Sequence, residues 1–191
     1  VWAVDTDPEM LDVLMERARR ADVADRVHPV RASMTDPLPV DDAGLVMIPM
    51  NTLQLLHGVD EQVTCLSHAA AALRPGGEMI FDLAHPHLPA MADLVGVVLD
   101  TGQGVDPESG DLLLHTAVFE SVDGATGEVR MRLTIDRVHR DGSSTTVERP
   151  HHLHMYMPEE IPDIARRAGL DVVEVTGGFR GAVAFTITGA E

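Results

Sequence analysis

Three histidines and a tyrosine fall within residues 151–156, in the stretch "ERPHHLHMYM". On a β-strand, His152, His154 and Tyr156 share one face, and His151, Leu153 and Met155 share the other. Two histidines at i and i+2 on a strand are spaced to ligate Zn2+ or Fe2+. A complete site needs a third ligand, and the sequence offers none at fixed spacing, so no metal is assigned. A second pair, His85 and His87, lies in "AHPHL", and His57 stands alone in "LLHG". Imidazole titrates near neutrality without tuning, so each is chemically competent as a general base. The plainer alternative for each is a solvated loop residue. The third feature is a lone acid: Asp5 ends the apolar run "VWAVD" and is followed by "TDPEML".

Strands and helices must position these groups. Residues 1–5 read as a short parallel strand covered on both faces. Asp7 is a suitable N-cap, Pro8 fits the first helical position and Glu9 places an acid in the first turn. Met10, Leu11, Leu14, Met15 and Ala18 then recur at helical spacing as far as residue 21. Residues 26–33 read as a second strand and 45–49 as a strongly buried one. A loop opens at Asn51 and Thr52, and a helix spans 60–73. Gly76 and Gly77 in "LRPGG" read as its terminus and turn, and residues 78–84 as another strand. This alternation points to an α/β parallel sheet.

The pattern then changes. Residues 102–111 read as a turn-rich loop, with "GQG" as a turn. From 112 to 157, three longer β-rich stretches separated by "DGATG" and "RDGS" predict an antiparallel three-strand meander. A helix over 158–170 and two strands close the chain.

Composition sets limits on function. The 191 residues suit one domain with a substantial core; 45% are hydrophobic and 3% aromatic, so that core is aliphatic. The formal net charge is −17, and all fourteen basic residues are arginine. Such a surface argues against nucleic acid and against anionic membranes as partners. The single cysteine, Cys65, allows no intramolecular disulfide, fits a cytoplasmic setting and reads as core packing. These 191 residues show no signal-peptide pattern, no long apolar run and no internal repeat.

The pieces "VWAVDTDPEML", "VRASMTD", "LVMIPMNTLQLL", "LRPGGEMIFDL" and "MPEEIPDIARRAGLDVVEV" resemble, in order and spacing, class I S-adenosylmethionine-dependent methyltransferases of the small-molecule type. The resemblance implies a Rossmann-like sheet of seven strands, the last antiparallel, with an antiparallel insertion after the fifth. It divides the chain into a cofactor-binding core over 1–101, a substrate-covering insertion over 102–157, and a return to the core over 158–191. No G-x-G precedes Asp5, so the family's first strand and Gly-rich turn are missing here. The natural chain is therefore expected to be longer by a βα unit of roughly 30 or more residues.

The resemblance also implies roles. Asp5, with Thr6, would bind the ribose hydroxyls of S-adenosylmethionine. Met10 would pack on the adenine, and Ala32, Ser33 and Met34 would hold its edge. Ser33 stands where many relatives carry an acid. Met50 would touch the cofactor. Asn51, His57, His87 and Arg149 would contact the substrate. His85, His154 and Tyr156 are the candidate catalytic groups, with Arg149, His154 and Tyr156 forming a substrate-facing wall. The activity implied is methyl transfer to an O, N or C atom of a small molecule, with specialised metabolism as the expected setting, leaving S-adenosylhomocysteine. The sequence is compatible with a homodimer. The competing readings are a nicotinamide dehydrogenase, a cofactor-binding relative doing other chemistry, and a non-catalytic partner subunit.

Overall fold

The computed structural model describes residues 1–84, 87–157 and 159–176, and the backbone of 185–189. These form two compact units. The first holds Val1–Pro49, Val59–Phe81 and the described part of Pro162–Glu191; the second holds Met50–Gly58 and Asp82–Ile161.

In the first unit, β1 (Trp2–Asp5) lies parallel to β2 (His28–Arg31), and α1 (Pro8–Arg20) packs on both. α1 begins as its sequence dictates: the Asp7 carboxylate accepts the Glu9 N–H at 2.8 Å, Pro8 opens the first turn, and three arginines occupy the last. A four-stranded sheet has the order β3 (Ala43–Ile48), β4 (Leu73–Phe81), β10 (Phe185–Gly189), β9 (Leu170–Glu174). β3 and β4 are parallel, and β10 runs antiparallel to both of its neighbours. Apolar side chains of α2 (Val59–Ala72), among them Cys65, Leu66 and Ala69, are buried together with Met79 and Phe81 of β4. Burial pushes the Cys65 thiol up to about 12. It is therefore an un-ionised core group, since only the thiolate is nucleophilic.

Two expectations fail in this unit. "LRPGG" does not end the helix: α2 stops at Ala72 and β4 already starts at Leu73. A Cβ at Gly77 would lie 2.8 Å from the Ala43 carbonyl oxygen, so the bare backbone is needed where β4 passes β3. Nor is β1 covered on both faces. It pairs with β2 on one edge only, and among the described residues no strand pairs with its other edge. Its faces are open as well: Trp2 is 48% exposed and the other three residues are only half-buried.

The second unit is built on an antiparallel sheet in simple up-and-down order: β5 (Val98–Val105), β6 (Leu112–Val122), β7 (Glu128–Val138) and β8 (Ser144–His154). It has four strands, not the expected three. Gly102, Gln103 and Gly104 lie inside β5 and pair with His115, Leu114 and Leu113, so "GQG" is not a turn. The pairing is interrupted by a bulge between Asp100 and Gly102, where Gly102 has a φ of 135°. The glycines that suggested a loop instead permit this bulge. A short helix, α3 (Leu88–Asp93), packs on β6, and its Leu88 and Met91 join Phe119, Val122, Val129, Leu153 and Met155 in a core. Among the described residues no helix is long and apolar enough to cross a membrane.

An ion network ties the β5–β6 turn to the end of β7. Arg137 donates to Asp106 at 2.8 Å and to Asp111 at 3.2 Å, and His139 Nδ1 lies 3.0 Å from Asp111. The Glu108 backbone N–H is the largest influence holding the Asp106 carboxyl below the usual range, with Ser109 and Arg137 adding to it against burial. Burial alone would raise Asp111, but its bonds to Ser109, His139 and Arg137 together bring it lower. Carboxyls lowered in the fold stabilise it above their unfolded value, near 4, and that stabilisation is lost as pH falls through the lower native value. Thermal unfolding followed by circular dichroism should therefore show a midpoint that drops as pH falls from about 4 to 2. A D106N/D111N variant should be less stable at pH 7 and show a shallower acid drop. Equal slopes for the two proteins would remove this network as a source of acid sensitivity.

Candidate active site

The carboxyl ends of β1 and β2 lie side by side in the first unit. Asp5 pairs with Arg31 in the parallel register, and the Ala32 N–H donates to the Asp5 carbonyl at 3.1 Å. The Arg31 Nε donates to the Thr6 carbonyl at 3.4 Å. Asp5 is thus held half-buried beside the segment 32–34, which is also half-buried. The carboxyl ends of parallel strands are where open α/β sheets bind ligands. One Asp5 oxygen accepts the Asp7 N–H at 2.9 Å, which fixes the carboxylate and shapes the turn into α1. Met10 is 56% exposed, so it is not part of the buried face of α1, which Leu11 and Ala18 supply.

Ser33 is more committed than its sequence suggests. Its hydroxyl lies 2.8 Å from the Thr35 hydroxyl and accepts the Thr35 N–H, while its own N–H donates to Asp36 at 2.8 Å. The loop after β2 is therefore braced from within, and Asp36, a residue the sequence reading passed over, is its anchor. The Thr35 carbonyl is in turn met by His68 Nδ1 of α2 at 2.9 Å.

In the second unit, Met50 and Asn51 follow one another in the left-handed region, with φ of 63° and 58°. For non-glycine residues this costs roughly 1–2 kcal/mol each. Asp82, just past β4, supplies the offset: its two carboxylate oxygens accept the Met50 N–H at 2.7 Å and the Asn51 N–H at 3.1 Å. Hydrogen bonds to a charged acceptor contribute about 1.5–3 kcal/mol apiece. The turn carries Asn51 into the short 3-10 helix Thr52–Leu55. There the buried Gln54 brackets Ala84, accepting its N–H at 3.0 Å and donating to its carbonyl at 3.3 Å.

The remaining candidates sort differently from their expectation. Tyr156 is buried, and its hydroxyl donates to the Leu53 carbonyl at 3.1 Å. His87 caps α3, its Nδ1 accepting the Ala90 N–H at 3.2 Å. His85 lies outside the described residues. The wall of Arg149, His154 and Tyr156 does not form as expected. β7 and β8 pair without a bulge from Glu128–His154 to Val138–Ser144. Strict alternation then puts Arg149 on the opposite face from His154, and β8 ends before Tyr156. His154, His152 and Glu128 do share one face. His154 Nδ1 lies 3.1 Å from Glu128 Oε1, and His152 Nε2 lies 2.5 Å from Glu128 Oε2. His57 reaches the same Glu128 oxygen at 3.9 Å, and its ring stacks on His152 at 3.9 Å.

Asp82 and Glu128, like Asp36, are groups that sequence reasoning missed. Asp82 did have a signal, being an acid at the end of a buried strand, as Asp5 is. Replacing Asp82 with alanine should lower stability by about 2 kcal/mol in urea unfolding. Asp82→Asn, which keeps one acceptor, should lose less. Adding Met50→Gly to D82A should recover part of the loss, because glycine tolerates the left-handed conformation. Unchanged unfolding midpoints would show that Asp82 does not hold the turn.

Known proteins share this fold. Residues 1–77 match the family model described as a methyltransferase domain. The CcbJ methyltransferase from Streptomyces caelestis superposes with a TM-score of 0.75 at 23% identity, over 100% of this chain and 75% of that one. The sugar N-methyltransferase KedS8 from Streptoalloteichus sp ATCC 53650 gives 0.73 at 15% identity, over 100% and 71%. S-adenosylmethionine-bound CalS10, an amino pentose methyltransferase from Micromonospora echinaspora, gives 0.68 at 19%, over 100% and 74%. A search of curated proteins finds no match. The chain thus has the Rossmann-like fold of the class I S-adenosylmethionine-dependent methyltransferases, and its residues 1–77 match the methyltransferase-domain model.

Proposed function

We propose that the protein transfers a methyl group from S-adenosylmethionine to an O, N or C atom of a small molecule. The observation that carries this reading is the juxtaposition of Asp5 with the 32–34 segment at the carboxyl ends of two adjacent parallel strands. The donor set fits the cofactor. A half-buried carboxylate suits a pair of ribose hydroxyls, and Ala32, Met34 and the exposed Met10 offer apolar surface to a purine ring. Asp5 and Thr6 would bind the ribose, and residues 32–34 the adenine edge. The cofactor's sulfonium supplies an activated methyl group, so positioning rather than activation is the main demand on the protein.

The second unit offers the substrate side. The Asp82-held turn presents Met50 and Asn51, and His57 follows the 3-10 helix. Tyr156 and His154 act here as positioning residues, since their polar atoms are engaged by Leu53 and Glu128. An amine acceptor asks least of these groups, because it need only be neutral and requires no dedicated base. The net charge of −17 would favour approach of such a cationic amine and disfavour nucleic acid. A cytoplasmic enzyme fits the single buried thiol, and a homodimer is compatible with the exposed sheet edges.

Calorimetric titration of S-adenosylhomocysteine into the natural protein tests the reading. Micromolar binding is expected, weakened about tenfold or more in Asp5→Ala, the loss of one charge-assisted hydrogen bond or two. Asp5→Asn, which still caps the turn, should also bind more weakly. No binding by the folded protein, or binding indifferent to both variants, would overturn it.

A further inference from the structure

We propose that His57, Glu128 and His152 form a binding site for one divalent transition-metal ion of the Zn2+ class, built wholly within the second unit. One nitrogen from each histidine and one oxygen from Glu128 lie within 4.8 Å of one another. The shared atom is Glu128 Oε2, 2.5 Å from His152 Nε2 and 3.9 Å from His57 Nδ1. Ligands about 2.0–2.1 Å from a tetrahedral Zn2+ stand roughly 3.3 Å apart. The first contact must open by about 0.8 Å and the second close by about 0.6 Å, within the reach of small side-chain rotations. Two imidazoles and one carboxylate are a donor set that Zn2+ and its neighbours in the first transition series accept.

Two further observations point to a ligand. Glu128 Oε2 is inaccessible to solvent, and no hydrogen bond of acceptable geometry reaches it. Its contact with His152 is close but not aligned as a hydrogen bond. A buried carboxylate oxygen left so is costly, and a cation between it and the two imidazoles would satisfy it. The other oxygen is already fixed: His154 Nδ1 holds Oε1 at 3.1 Å. His154 is itself 8% exposed and has Glu160 beyond it, its Nε2 lying 3.9 Å from a Glu160 oxygen. Metal-binding carboxylates are characteristically oriented by such an outer hydrogen bond, which accounts for a buried histidine next to the site.

The backbone fixes the ligands independently of any ion. Gly127, with φ of 74°, lets β7 start against Met155, where a Cβ would come 2.5 Å from the Met155 carbonyl oxygen. The bulge-free β7–β8 register then places Glu128 and His152 on one face. A cavity of about 780 Å³ opens beside the three ligands and is lined also by Ser121, Asp123 and Arg130. Three protein ligands facing a cavity leave the fourth position to water.

The test is calorimetric titration of Zn2+ into the tag-free protein, with Co2+ as a spectroscopic probe. One equivalent of Zn2+ should bind, and Co2+ should give the intense visible bands of a four-coordinate, nitrogen-ligated ion. His57→Ala, on an exposed loop, and Glu128→Gln, close in shape, should each weaken binding by at least about tenfold. His152→Ala should abolish the Co2+ bands. Weak pink, six-coordinate Co2+ in the wild-type protein would overturn the proposal, as would binding indifferent to Glu128→Gln and His57→Ala. The first readout stands even if a variant fails to fold.

Discussion

The second unit depends on one carboxylate at the turn that follows β3. Met50 and Asn51 adopt a backbone conformation that neither side chain favours. Asp82 is what makes that conformation the stable one, by accepting both of their N–H groups. The chain leaving β3 is thereby joined to the chain leaving β4, two segments separated by a whole helix in sequence. Gln54 then repeats the device one turn later, using its amide like a short piece of strand against Ala84. Its Nε2 also reaches the Met155 sulfur at 3.1 Å, so the segment after β8 is drawn into the same assembly. Three chain segments converge through polar side chains that are held, rather than through apolar packing alone. Such bonds are directional, so they fix the turn's shape where a hydrophobic contact would fix only its depth.

The sheet of the second unit sorts its side chains by the same kind of geometric necessity. Eleven residues of β7 pair with eleven of β8 without a slip. Alternate residues therefore share a face, and Val129 and Leu153 both join the apolar core around Leu88 and Met155, while Glu128, His152 and His154 lie on the other face. A slip of one residue would exchange Leu153 for His152 in the core, which the burial of an imidazole forbids without a partner. Gly127 and the Asp123 turn set the start of this register. Asp123 Oδ1 accepts the N–H groups of Ala125 and Thr126, and Met155 donates its N–H to the Gly127 carbonyl.

How much of this was legible in the sequence differs from element to element. The β1–α1 junction was fully legible, because Asp7, Pro8 and Glu9 encode a helix start locally. Asp5 was legible for a similar reason, as a polar residue at the end of an apolar strand. The "GQG" segment misled, because glycine marks both turns and bulges, and only the pairing partner on β6 tells them apart. Tyr156 was placed by extending a strand's alternation beyond His154, where β8 ends, and Arg149 on the family resemblance. The expected wall already placed them with His154, which alternation forbids for Arg149. Asn51 was recognised as a loop residue, but its left-handed backbone could not be, because the cause sits at Asp82, far along the chain.

The Glu128–histidine cluster shows a different limit. Its spacing in sequence is uninformative, since its members come from a loop, the first residue of one strand and the far end of another. Yet the hairpin turn at "RDGS" was recognised. Counting outward from Asp141 pairs Glu128 with His154 and Arg130 with His152, as observed. The cross-strand half of the site was therefore implicit in the sequence once the turn was fixed. What no local rule supplies is His57. Its position follows from the 3-10 helix, whose entry Asp82 controls and whose Leu53 carbonyl is held by buried Tyr156. The conformation at Met50 and Asn51 thus propagates through one helical turn to the side chain that completes the cluster.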